Sequence, residues 1–254
     1  MPKSEAHLKT DRQNGGAGLS IPKATEEILA PLDAFSGTLA QRTYASLKQA
    51  ILSLALKPGE VLRKPEICGM LGVSRSPVAE ALARLAGEGL VDVVPQAGTF
   101  VARFSVEEIR EGAFLREALE TAAVERLAER ITEAQLAELR RTLRIQKVFV
   151  DDGDFPGFYE QDRAFHEQMM SFTGFKRLGQ LAQTSWVHVD RARQLLLPEP
   201  GRVEATIVEH MAIIDALAAR DPHAARLATR AHLRQLITVL EPMMRDRPEL
   251  FTSL

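Results

Sequence analysis

The sequence predicts a mainly α protein in two parts: an N-terminal module of three short helices and a β-hairpin, then an all-helical bundle of six to seven helices. Three observations predict it. Apolar residues recur at helical spacing from Leu39, two β-rich runs stand together at Leu90–Val94 and Thr99–Val101, and the breaks beyond Phe104 carry helix punctuation. At 254 residues the chain exceeds what one core usually fills, so residues 37–104 and 105–245 are expected as two domains behind a flexible tail at 1–36.

The tail mixes Gly15, Gly16 and Gly18 with scattered charges and offers few large apolar side chains to bury, apart from one periodic stretch at Ile21–Leu32. From Thr38, the residues Leu39, Tyr44, Leu47, Ile51 and Leu54 line one helical face until Lys57-Pro58-Gly59 stops it. Pro65 suits the first turn of a second helix, which Gly72 ends after Leu71. Ser74 is the N-cap of a third helix whose buried face is Val78, Ala81, Leu82 and Leu85, with Gly89 closing it. The two β-rich runs then form a hairpin about Pro95–Gly98. Three short helices followed by a hairpin make a winged helix-turn-helix, with the helix from Ser74 entering a major groove. In the second domain helices are expected at about 106–130, 133–150, 155–172, 175–196, 203–219 and 222–242.

Composition bounds the function. With 45% hydrophobic and 26% charged residues the chain has an ordinary globular balance. Its net charge is −2, but Thr38–Phe104 carries eight basic side chains against five acidic ones, a net of +3 that leaves −5 elsewhere. A basic module on an acidic body suits a domain that meets phosphates. The single cysteine, Cys68, forms no internal disulfide, and no apolar run reaches membrane-spanning length, so a cytoplasmic protein without a membrane partner is expected.

In Gly72-Val73-Ser74-Arg75-Ser76-Pro77-Val78, the small hydroxyls of Ser74 and Ser76 and the amides of a helix N-terminus suit phosphate oxygens. Arg75 is the base reader, because its planar fork matches guanine O6 and N7. Arg84 is expected at a phosphate or in solvent. In the wing, Gly98 lets the backbone approach the minor groove, with Gln96 and Thr99 beside it.

The bundle carries a second constellation. Asp162 and His166 are four residues apart and share a helical face, while His210 and His232 each lie on an apolar face. Asp221-Pro222 turns the chain midway between those two histidines, so each stands roughly 16 Å from the turn along its own helix and they meet at equal height. Three histidines and one carboxylate are a donor set for Zn, Ni, Mn or Fe. Any one of these histidines alone reads more readily as a hydrogen-bonded core residue, and it is their convergence that points to a metal. The set also admits a metalloenzyme, but no further acidic pair or nucleophile stands at a telling spacing beside it, so catalytic residues are not expected. A helical interaction protein with structural histidines is the remaining alternative.

The stretches Leu56–Leu62, Leu71–Leu82 and Gly89-Leu90-Val91 resemble the N-terminal signature of the GntR family of bacterial regulators. That family usually has an arginine where this chain has Ala79, which removes one DNA contact. The bundle resembles the FCD domain of the FadR subgroup, at Asp162–His166, Glu209-His210, His232-Leu233 and Leu115–Glu120. The resemblance implies a divalent metal on Asp162, His166, His210 and His232, and a small carboxylate effector. Arg116, Arg191 and Arg193 are the candidates to neutralise such an effector. Phe175 departs from the family's usual asparagine. The expectation is a homodimeric regulator reading a pseudo-palindromic double-stranded DNA operator under control of a metabolite.

Overall fold

A computed structural model describes residues 28–196 and 201–252. The N-terminal module comprises α1 (Leu39–Leu52), α2 (Lys64–Leu71), α3 (Arg75–Gly87), β1 (Val91–Val94) and β2 (Gly98–Val101). Thr38 opens α1 with a reciprocal capping box to Gln41, and Gly72 ends α2 in the left-handed region at φ 64°, where a side chain would be strained. The strands pair antiparallel in the register Val91↔Val101 to Val94↔Gly98, and an isolated bridge at Val61↔Phe100 extends the wing. Leu47, Ile51, Ile67, Val78, Leu82, Leu85, Leu90 and Val101 fill the core beneath. This is the winged helix-turn-helix read from the sequence.

Among the described residues seven helices follow: α4 (Val106–Ala128), α5 (Glu133–Asp151), α6 (Phe155–Phe172), α7 (Lys176–Ser185), α8 (Val187–Leu196), α9 (Arg202–Ala218) and α10 (Pro222–Asp246). Helix α4 packs along α10, α5 along α6 and α9, and α9 folds back on α10. Their shared core is built from Val124, Leu127, Ile131, Leu139, Phe165, Met169, Ile213 and Leu217. Among the described residues no helix is long and apolar enough to cross a membrane.

Three expectations are corrected. The segment from Ile28 is not a free tail: Leu29 is buried in the N-terminal core, and Ser46 Oγ donates to the Ala30 carbonyl at 2.7 Å. One aliphatic anchor and one matched carbonyl are enough to seat it, while residues 1–27, with most of the Ile21–Leu32 stretch, lie outside the described residues. Helix α1 stops at Leu52 because Leu54 turns left-handed at φ 62° and Leu56 N–H closes on the Ala50 carbonyl at 3.0 Å. The single helix expected at 175–196 is two, broken at Trp186. Trp186 enters a cluster with Ala123 and Met170 whereas Val187 enters the N-terminal core, so consecutive large side chains serve different cores.

Helix α8 therefore touches both domains. His188 Nε2 lies 3.2 Å from the Glu88 carbonyl, and Glu88 in turn accepts from Tyr44 Oη at 2.6 Å and from Lys48 Nζ at 2.7 Å. The linker is also held from the C-terminal side: Phe104 N–H donates to the Leu250 carbonyl and Thr252 N–H to the Phe104 carbonyl, both at 2.9 Å.

Candidate metal centre and nucleic-acid interface

Helix α6 carries Asp162 and His166, α9 carries His210 and α10 carries His232, and the fold-back of α9 on α10 brings all four together. One ligand atom from each lies within 4.8 Å of the others, and all four residues are buried. Each imidazole is held from behind. His166 Nδ1 faces Glu120 Oε2 at 2.6 Å, His232 Nδ1 faces Glu209 Oε2 at 2.7 Å and His210 Nδ1 faces Gln146 Oε1 at 2.9 Å. Gln146 keeps its orientation by donating to the Gln161 carbonyl at 2.9 Å, and Phe165 stacks on His210 with centroids 4.2 Å apart.

A carboxylate or amide oxygen opposite Nδ1 places the proton there and leaves a lone pair on Nε2. Consequently His166 Nε2 and His232 Nε2 point lone pairs at each other across 3.2 Å. His210 Nε2 and Asp162 Oδ1, 3.5 Å apart, are buried and have no hydrogen-bond partner. Buried acceptors facing one another without a donor are costly, and a cation among them would satisfy all of them. The residues thus fit a divalent metal, and the Nδ1 partners are the outer-shell contacts such a site needs.

The electrostatics agree. Burial lowers the pKa of His166, moves His210 well below the usual histidine value under the added repulsion of its neighbours, and takes His232 down to about 3, so the rings stay neutral at pH 7. Burial disfavours the Glu120 carboxylate, but His166 and Arg116 outweigh it and hold Glu120 far below the usual carboxylate range.

Beside the cluster lies a cavity of about 50 Å³ lined by Arg116, Asp162, Arg193, Arg202, Thr206 and His232, among others. Arg116 Nε donates to Glu120 Oε1 at 2.6 Å, and Arg193 donates to Asp162 Oδ2. Burial, reinforced by Arg116, lowers the Arg193 pKa to about 9. Of the three arginines singled out from the sequence, Arg116 and Arg193 reach this cavity and Arg191 does not. Arg191 packs over the Phe104 ring at 4.5 Å, buried at the domain junction, because two residues along α8 rotate a side chain by about 200° from Arg193. Arg202 takes its place, donating to Glu209 at 2.9 and 2.5 Å and to Thr206 Oγ1 at 2.8 Å.

Sequence reasoning missed Glu120, Gln146, Arg202 and Glu209. Glu120 stands four residues after Arg116, and Glu209 seven after Arg202, spacings that share a helical face and would have found both pairs. Gln146 on α5 gave no such signal. Trp186 borders a separate cavity of about 750 Å³ between the domains, and Met169 is core.

On the N-terminal module Ser74, Arg75, Ser76 and Ala79 are exposed on α3. Ser74 has N-cap geometry but its hydroxyl makes no capping bond, and Arg75 has no ion-pair partner among the described residues. In the wing Gln96 and Gly98 have φ of 63° and 136° and are exposed, while Thr99 is half-buried with its carbonyl accepting from Leu62 N–H at 2.7 Å. Arg84 is exposed toward the other end of α3. It lies 3.7 Å from the Tyr44 ring centroid with Nε 3.4 Å from Glu88, because the far end of α3 rests against α1.

Residues 39–101 match the family described as bacterial regulatory proteins, gntR family, and residues 111–235 match the FCD domain. An HTH-type transcriptional regulator of Streptomyces ambofaciens is 37% identical over 210 residues, 83% of this chain and 88% of that protein. The HTH-type transcriptional repressor RspR of Escherichia coli K12 is 29% identical over 213 residues, 84% of this chain and 93% of that protein. Among solved structures, E. coli McbR/YncC aligns with a TM-score of 0.71 at 25% identity, covering 82% of this chain and 99% of that one. A GntR regulator from Rhodococcus sp. RHA1 aligns at 0.69 and 26%, covering 80% and 97%. By these matches this chain belongs to the GntR family, as a transcriptional regulator with an FCD domain.

Proposed function

We propose that this regulator is a homodimer whose operator affinity is set by a small carboxylate metabolite, held beside a divalent metal in the domain spanning about 105–245. The observation that carries the reading is the convergence of four buried ligand atoms, two of them without partners, beside a cavity that Asp162 and His232 line together with three arginines. Asp162, His166, His210 and His232 would hold the metal, and the donor set suits Zn, Ni, Mn or Fe. When bound, the metal supplies a Lewis-acid anchor for a carboxylate oxygen. The chain's own residues do the rest: Arg116, Arg193 and Arg202 neutralise and orient the anion by paired hydrogen bonds, and Phe158, Leu233 and Leu236 exclude water around it.

At the other end Ser74, Ser76 and the first amides of α3 contact phosphates, Arg75 reads a base, and Gln96, Gly98 and Thr99 present the wing to a minor groove. Two copies related by a twofold axis would place their reading helices about 34–36 Å apart on a pseudo-palindrome. Repression is the proposed outcome, in keeping with the name of the E. coli relative. Gel-shift titration against the DNA upstream of the protein's own coding sequence tests the reading, together with metal analysis and mass spectrometry of co-purified small molecules. Binding that depends on salt and is weakened by Arg75→Ala supports it. Metal-free protein that takes up no added divalent ion would overturn the effector half.

A further inference from the structure

We infer that Arg202 and Glu209, with Arg116 and Glu120, are positioning pairs that make the metal affinity of the cluster depend on an anion in the adjacent cavity. The inference rests on the functional reading above and adds the route by which the two ligands sense each other.

Each glutamate is shared. Glu209 faces His232 Nδ1 at 2.7 Å and accepts from Arg202 at 2.9 and 2.5 Å. Glu120 faces His166 Nδ1 at 2.6 Å and accepts from Arg116 Nε at 2.6 Å. Both arginines line the cavity of about 50 Å³, with room for roughly one or two waters' worth of ligand. A carboxylate that divides its charge between a guanidinium and an imidazole N–H polarises the ring less than one facing the imidazole alone. An anion entering the cavity engages part of each guanidinium fork, which has donors to spare. The glutamates then bear more fully on Nδ1–H, and Nε2 of His166 and His232 becomes a stronger donor to a cation. Arg193 acts more directly, since the oxygen it holds belongs to the ligand Asp162 itself. Linkage makes the effect reciprocal: whatever factor the anion adds to metal affinity, the metal adds to anion affinity.

The test uses the full chain, Ni²⁺ as metal and acetate as anion, with Ni²⁺ affinity measured by isothermal titration calorimetry at fixed pH and ionic strength. In the parent protein acetate should tighten Ni²⁺ binding by about fivefold or more. Glu209→Gln removes the shared charge while leaving Arg202 for the anion. It should weaken Ni²⁺ by about 10–100-fold and gain less than half as much from acetate. Arg202→Gln should do the opposite, binding Ni²⁺ more tightly than the parent without acetate and gaining less when it is added. If both variants weaken Ni²⁺ alike, the pair is scaffolding and the inference falls. It also falls if both keep the parent's acetate gain, because acetate then acts through the metal's open positions alone. A parent protein that binds no Ni²⁺ overturns the functional reading and this inference together. Should Glu209→Gln fail to fold, Arg202→Gln decides the matter, since its predicted direction is one that a loss of packing would not produce.

Discussion

At the start of α3, Ser74, Arg75 and Ser76 are exposed, and the Ser74 hydroxyl and Arg75 guanidinium are uncommitted, whereas in the bundle every ring of the histidine cluster is buried with its Nδ1 engaged. The first region leaves hydrogen-bonding capacity for a partner to complete, at little cost in water. The second is preorganised in a dry setting, where an uncompleted donor set is expensive. Substitutions at the start of α3 should therefore change DNA binding with little effect on the fold, while substitutions in the cluster should change both metal binding and the fold.

Four experiments bear on that contrast. His210→Ala deletes a ligand rather than its support, so Ni²⁺ affinity should fall by more than the about 100-fold that bounds the loss of an outer-shell partner. Calorimetric titration checks it, and a drop of less than tenfold would show the cluster to be packing only. Arg75→Ala should cost about 1–3 kcal/mol in specific DNA binding and leave the melting temperature unchanged, measured by gel shift and thermal denaturation. A smaller effect follows from pH. The folded rings refuse protons that an unfolded chain accepts near pH 6.5, so the unfolded state binds more protons and stability falls as pH drops below that value. His232, whose pKa is down to about 3, contributes about 1 kcal/mol of this loss at about pH 5.5. Chelator-treated protein should melt at lower temperature at pH 5.5 than at pH 8, and identical curves would mean the rings are not held neutral. Last, Ser74→Ala should shift fold stability by less than about 0.5 kcal/mol, since no capping bond is lost, yet weaken DNA binding. A destabilisation of 1 kcal/mol or more would show that the hydroxyl caps α3 after all.

The elements of both domains were legible because strong periodicity and Gly, Pro and Ser punctuation coincide at Gly72, Ser74, Gly89 and Asp221-Pro222. The meeting of His210 and His232 was legible too, since a turn midway between them fixes their height. What escaped was angular. Arg191 and Arg193 looked equivalent as text, but they face nearly opposite directions on α8, and only the placement of α8 decides which one meets Asp162. The break at Trp186 was hidden for the same reason. No local residue signals a helix end there, and the backbone bends only because Trp186 and Val187 are claimed by separate cores. Gln146 gave no motif because its role depends on the distance between α5 and α9.

Val187 has a consequence for anyone dissecting the molecule. It completes the interior of the DNA-reading head from a position more than eighty residues beyond that head's last strand, so severing the chain after Phe104 would leave a socket where an aliphatic side chain belongs. The head borrows part of its interior from the helical body, and the full-length chain is the proper unit in which to measure either.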